Sequence, residues 1–220
     1  MNNMLREPVK DVKISQEFGK DFQVWDNGKQ IYFYKDRYGL KGHPGRDYAC
    51  PIGTPIYSMN DGVCLYAGFD NTNGNLIQIW NEKENYKSLY GHCSAFKVKQ
   101  GDIVKQGDLI ALSGNMGAST GPHIHVGYKQ TIAGGNTKFP NNGYNGAEDF
   151  KHLIISEDTM KFKKIKGEPS VYLVDDVKGT MMMIIDMETL TALDGEIIEV
   201  DNLAGYVPKG TLIWTERIIN

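Results

Sequence analysis

The chain has 220 residues, long enough for one medium domain with a small appendage. An apolar share of 40% and a charged share of 23% supply a core and exclude a disordered chain. The formal net charge of -3 argues against nucleic acid as the main partner, because phosphate binding needs a basic face. No stretch is long and apolar enough to be read as a transmembrane helix. Residues 1–10 lack the apolar run of a secretory signal peptide, so export through such a signal is not expected. Three cysteines, Cys50, Cys64 and Cys93, without a C-x-x-C pair, are read as small buried thiols rather than a disulfide framework.

Taken in chain order, residues 11–127 read as many short strands separated by turns. Lys13 to Phe18 is a short strand or strand end running into Gly19. Residues 21–41 are rich in aromatics and charge without periodicity, and are read as a long loop beside a site. Residues 54–59 and 63–67 are apolar runs around Asn60-Asp61-Gly62, a hairpin signal. Residues 76–80 alternate and end in the polar turn 81–85, and residues 87–92 follow as the return strand. Residues 103–104 and 109–112 flank the turn Lys105-Gln106-Gly107-Asp108. Residues 123–126 form the last short strand, 134–146 a Gly/Asn-rich loop and 147–155 a short helix. Strands at such intervals predict a mainly β fold built on an antiparallel sheet.

Only five histidines occur, and four of them, His43, His92, His123 and His125, fall in this segment. His123 and His125 are spaced i, i+2, so on a strand both rings lie on one face, about 6.5–7 Å apart along the chain. One metal ion does not easily take both, and a natural division is one ligand and one acid or base. His43-Pro44-Gly45-Arg46-Asp47 is an H-x-x-x-D arrangement. Its Pro-Gly pair forbids a regular helix, and a tight loop can bring imidazole and carboxylate together instead. One His, one Asp and one further His make three N/O ligands, the usual number for a catalytic zinc. His92 ends an apolar strand and is a candidate second proton-handling group. His152 lies outside these motifs and is read as structural.

These motifs, in this order, resemble the M23 metallopeptidase family of lysostaphin-like and LytM-like enzymes. The resemblance runs over about 14–126. It rests on G-H-P-G-R-D-Y-A-C-P-I-G-T-P-I-Y-S (42–58), G-N-L-I-Q-I (74–79), L-Y-G-H (89–92), V-K-Q-G-D-I-V-K-Q-G-D-L-I (98–110) and G-A-S-T-G-P-H-I-H-V (117–126). It implies a lysostaphin-like antiparallel β groove. It also implies one Zn2+ held by His43, Asp47 and His125, with His92 and His123 beside it as catalytic residues. The implied substrate is bacterial peptidoglycan, cut in the stem peptide or the cross-bridge. Gly91, Cys93 and the Val126-Gly127 pair depart from the family pattern without removing a ligand.

Two domains joined by a linker are expected: a peptidase domain over 1–156, a charged linker over 157–170 and a small α+β module over 171–220. The module is read with strands at 171–174, 181–185, 197–200 and 211–214 and helical turns over 187–193. It contains no histidine or cysteine, so it is expected to target or dock the enzyme. With no leader in the sequence, a phage lysin or tail-associated lysin is the expected setting, and a virion or tail protein the expected partner of the module. The competing reading is an inactive, wall-binding or partner-binding member of the same fold, and the five filled positions favour the enzyme.

Overall fold

A computed structural model describes residues 5–154 in full and the backbone of Ile155. Beyond them it describes the backbone of the strands Met160–Ile165, Val171–Asp175, Thr180–Ile184, Ile197–Val200 and Val207–Pro208. The chain divides into two compact units between Ile154 and Ile155.

The first unit is built on a seven-stranded sheet. Its spatial order is Ile103–Val104, Gly62–Asp70, Gly74–Asn81, Tyr86–Cys93, His123–Gln130, Arg46–Ala49 and Lys13–Gln16. Every neighbouring pair is antiparallel. A second sheet pairs Leu109–Leu112 with Ala95–Phe96 on one side and Pro55–Tyr57 on the other. Ile56, Ile110 and Ala111 of this sheet share one core with Ile77, Ile79, Tyr90, Ile124 and Val126 of the larger one. Alternation then decides what the opposite face carries. Ile124 and Val126 are fully buried, which directs His123 and His125 away from the core. Each such aliphatic burial stabilises by about 1.5–3 kcal/mol. A one-residue slip would exchange the two rows, so the core fixes where the histidines point.

Residues 21–41 are not a long loop. Gln23–Asp26 and Lys29–Tyr32 form a ribbon, and the helix Phe33–Tyr38 follows directly. Asn27 and Gly28 both have positive φ, which makes a two-residue turn at the Asn-Gly pair. The short helix is held at both ends. The Asp21 carboxylate accepts the backbone N–H groups of Tyr34 and Lys35, each at 3.0 Å, and Gly39 closes the helix in the left-handed region.

The expected hairpin at Asn60-Asp61-Gly62 is also absent. The segment Pro55–Tyr57 pairs with Leu109–Leu112, whereas Gly62 opens a strand paired with Gly74–Asn81 and Ile103–Val104. Gly62 lacks the positive φ of a primed turn; it is required because a Cβ there would collide with the Trp80 carbonyl. Within 147–155 the helix is reduced to one 3-10 turn, Lys151–Leu153, before the strand Ile154–Ile155.

In the second unit the order is Ile197–Val200, Met160–Ile165, Val171–Asp175, Thr180–Ile184, Val207–Pro208. The inner pairs are antiparallel and both edge pairs parallel. Part of the expected linker is therefore a strand: Met160–Ile165 pairs on both sides. Its lysines carry the charge that made the stretch read as a connector. The expected helical turns over 187–193 and the strand over 211–214 lie outside the described residues.

Candidate metal centre and cleft

Two strands and one loop bring the H-x-x-x-D and H-x-H motifs together. Asp47 lies on Arg46–Ala49 directly opposite His125 in the sheet register, and His43 sits in the loop before it. His43 Nε2 is 3.1 Å from Asp47 Oδ1, His125 Nδ1 is 2.9 Å from the same oxygen, and the two ring nitrogens are 2.9 Å apart. Gly45 allows this approach, since a Cβ there would lie 2.6 Å from His125 Cε1. His43 and Asp47 are 1% and 7% exposed, so the cluster is largely shielded from water.

Two nitrogens and one carboxylate oxygen so arranged fit a zinc ion. Ligands about 2.0–2.1 Å from a tetrahedral ion lie about 3.3 Å from one another. The back of the His43 ring agrees, because Nδ1–H donates to the Glu17 carbonyl at 3.3 Å and leaves Nε2 as the lone-pair nitrogen. Burial pushes the Asp47 carboxyl up, but hydrogen bonds from His125 and His43 and their charge outweigh it and hold it well below the usual carboxylate range.

The other two histidines flank the cluster. His123 Nε2 is 3.6 Å from Asp47 Oδ2, and its ring centroid is 4.7 Å from that of His92. His123 Nδ1–H donates to the Gly121 carbonyl at 2.7 Å, and His92 Nδ1–H to the Met116 carbonyl at 2.6 Å. Each bond leaves Nε2 with its lone pair. His92 reaches this position through a bulge that simple alternation does not foresee. Asn75 pairs with Cys93 and Ile77 with Tyr90, so Gly91 and His92 together oppose Leu76. The φ of His92 is 64°, uncommon for a residue with a side chain and a form of strain concentrated at functional sites. Tyr90 and Cys93 stay fully buried on either side.

A cleft of about 750 Å³ opens over the cluster and includes His43, His92 and His125 in its lining. The helix Phe33–Tyr38 supplies Phe33, Tyr34 and Tyr38 to it. The Tyr34 ring centroid is 5.2 Å from that of His43. Burial, then the Asp47 charge, push the Tyr34 phenol well above its ordinary pKa and keep it neutral. Sequence reasoning missed this residue. Its signal was the Asn-Gly turn followed by an aromatic run ending at Gly39, which marks an ordered ribbon and helix.

Burial, then the charges of His125 and His123, push the His92 imidazole down to about 4. The unfolded chain, with histidine near ~6.5, therefore takes up the proton first as pH falls. In chelator, stability linked to His92 should be complete above about pH 6.5 and lost progressively towards about pH 4, by up to ~3 kcal/mol. Urea unfolding at stepped pH checks this, and a His92→Gln variant should show a shallower fall over that window.

Residues 41–138 match the model of Peptidase family M23, a span that includes all five candidate site residues. Over 83 residues the chain is 52% identical to an uncharacterized metalloprotease of Buchnera aphidicola, covering 38% of this chain and 22% of that protein. Over 86 residues it is 41% identical to the peptidoglycan DD-endopeptidase ShyC of Vibrio cholerae, covering 39% and 20%. The chain thus spans about a fifth of the length of these curated relatives. The catalytic domain of lysostaphin from Staphylococcus simulans superposes with a TM-score of 0.49 at 28% identity, over 64% of this chain and 90% of that one.

Proposed function

We propose that the chain is a zinc-dependent endopeptidase that hydrolyses peptide bonds in bacterial peptidoglycan, with His43, Asp47 and His125 as zinc ligands and His92 and His123 as catalytic residues. The observation that carries this reading is the convergence of His43 Nε2, Asp47 Oδ1 and His125 Nδ1, with two further imidazoles beside them. The peptidoglycan substrate is supported by the M23 match and by the activity named for the Vibrio relative. Zinc in such a site polarises a carbonyl and makes water acidic enough to react near neutral pH. The protein's own groups manage the protons. The backbone carbonyls of Met116 and Gly121 hold His92 and His123 in the tautomer whose Nε2 accepts a proton. A neutral imidazole there can take the proton of attacking water and return it to the leaving amine. The cleft walls, including the helix Phe33–Tyr38, position the peptide.

Residues 171–220 are proposed as a targeting or docking unit, and a phage or tail-associated setting as the context of the enzyme. The test of the activity is digestion of several defined peptidoglycans with zinc-loaded full chain, followed by mass spectrometry of the fragments. New amino termini that vanish with chelator and return with zinc are expected. Intact stem peptides and cross-bridges in every wall type would overturn the reading.

A further inference from the structure

The ribbon that leads into the cleft-lining helix has one buried and one open face. Val24 and Ile31, paired across it, are half-buried, whereas Gln23, Trp25, Gln30 and Tyr32 are exposed on the other side. Trp25 is 76% exposed, the most of any aromatic side chain among the described residues, and Tyr32 is 44% exposed. The register sets Trp25 opposite Gln30 and Gln23 opposite Tyr32. The two rings therefore lie on a diagonal of the ribbon, about 7–8 Å apart, each with a carboxamide directly across from it. Among the described residues, none of these four side chains makes a hydrogen bond or a ring contact.

This open face adjoins the cleft and is held rigid. Tyr32 is followed at once by Phe33 and Tyr34, which line the cleft. The Asp36 carboxylate accepts the Tyr32 backbone N–H at 2.7 Å, and the Phe22 ring stacks on Phe33 with centroids 4.9 Å apart. A surface fixed before binding loses little freedom on binding.

The side chains select the partner. All four are uncharged, and the nearby Asp26 carboxylate is paired with Arg37 at 3.1 Å, so a polyanion finds no cation on this face. A lipid or purely apolar partner would bury two carboxamides without hydrogen bonds, which is unfavourable. A pyranose ring meets both requirements. Its axial C–H groups rest against the negative face of an aromatic ring. Its hydroxyl and acetamido groups donate and accept hydrogen bonds, as a glutamine amide does.

We propose that Trp25 and Tyr32, flanked by Gln23 and Gln30, form a saccharide-binding platform that holds an N-acetylated amino-sugar strand while the peptide attached to it enters the adjoining cleft. The choice of occupant rests on the peptidase reading, because the peptides of that substrate are borne on such a glycan.

The test is calorimetric binding of the full chain to chitotetraose, a peptide-free chain of N-acetylated sugars, beside cellotetraose, which lacks the acetamido groups. Chitotetraose should bind, and more tightly than cellotetraose. Trp25→Ala should weaken that binding by about tenfold, the scale of one ring contact, and Trp25→Phe should retain most of it. The Trp25 side chain is exposed, so its removal leaves no cavity in the core. Absence of chitotetraose binding by the unaltered protein, or undiminished binding by Trp25→Ala, would overturn the platform. So would Trp25-dependent binding to phosphatidylcholine vesicles with none to either saccharide, which would assign the face to lipid. Hydrolysis of a soluble, sugar-free stem peptide is scored separately and should be unchanged in Trp25→Ala. Failure of the unaltered protein to cut that peptide would count against the peptidase reading, whereas the saccharide titration reads the platform without any hydrolysis.

Discussion

Replacing Asp47 with alanine is expected to remove zinc and hydrolysis together. Asp47 Oδ1 lies within 3.1 Å of one ring nitrogen and 2.9 Å of another, and it is the one anionic member of the cluster. Without it, two neutral imidazoles remain to hold a dication in a largely dry site, where charge neutralisation matters most. His125→Ala should act alike by removing a nitrogen from the same point. Asp47→Asn separates the contributions: it keeps shape but not charge, and should retain less zinc than the unaltered protein. Elemental analysis after dialysis, paired with wall digestion, reads both quantities. Full zinc occupancy in Asp47→Ala would count against the ligand set. Because an ion that binds only the folded state stabilises it by mass action, Asp47→Ala should also abolish the rise in melting temperature that zinc produces.

How far the sequence carried depended on whether local pattern and tertiary pairing agreed. The first half of the strand His123–Gln130, residues 123–126, was legible because Ile124 and Val126 alternate with the histidines, and the same alternation that buries them directs the rings outward. The His43–Asp47 loop was legible because Pro44-Gly45 forbids a helix, which leaves a turn as the way to bring the two ends together. His92 was recognised as a proton-handling candidate, but not the bulge that places it. A bulge depends on which residues of the neighbouring strand are opposed, and that is absent from a single strand's pattern. Asp61-Gly62 failed as a hairpin for a related reason. Its glycine answers to the Trp80 carbonyl on another strand, not to turn geometry. The ribbon and helix over 23–38 were hidden by charge and aromatics, although Asn27-Gly28, Asp21 and Gly39 are their local signals. In Met160–Ile165 the lysines masked a strand whose two neighbours lie elsewhere in the chain.

His92→Ala and His123→Ala should keep zinc and lose at least ~10²-fold in turnover, the lower end for a positioned acid or base. Neither residue belongs to the His43, Asp47 and His125 cluster, so metal content is the internal control. The two variants should also differ from one another. His123 stands on a regular strand, anchored by Gly121 and 3.6 Å from Asp47, so its removal leaves the fold unchanged. His92 holds a left-handed backbone position that alanine tolerates less well than histidine, and its ring bonds the Met116 carbonyl. His92→Ala should therefore also lower stability, by roughly 1–3 kcal/mol. A His92→Asn variant, better suited to that backbone region, should recover part of the stability and none of the turnover. That split separates a chemical role from a structural one. Wild-type wall digestion by both alanine variants would refute the proton-transfer assignment, whereas loss of zinc from either would move that histidine into the ligand set.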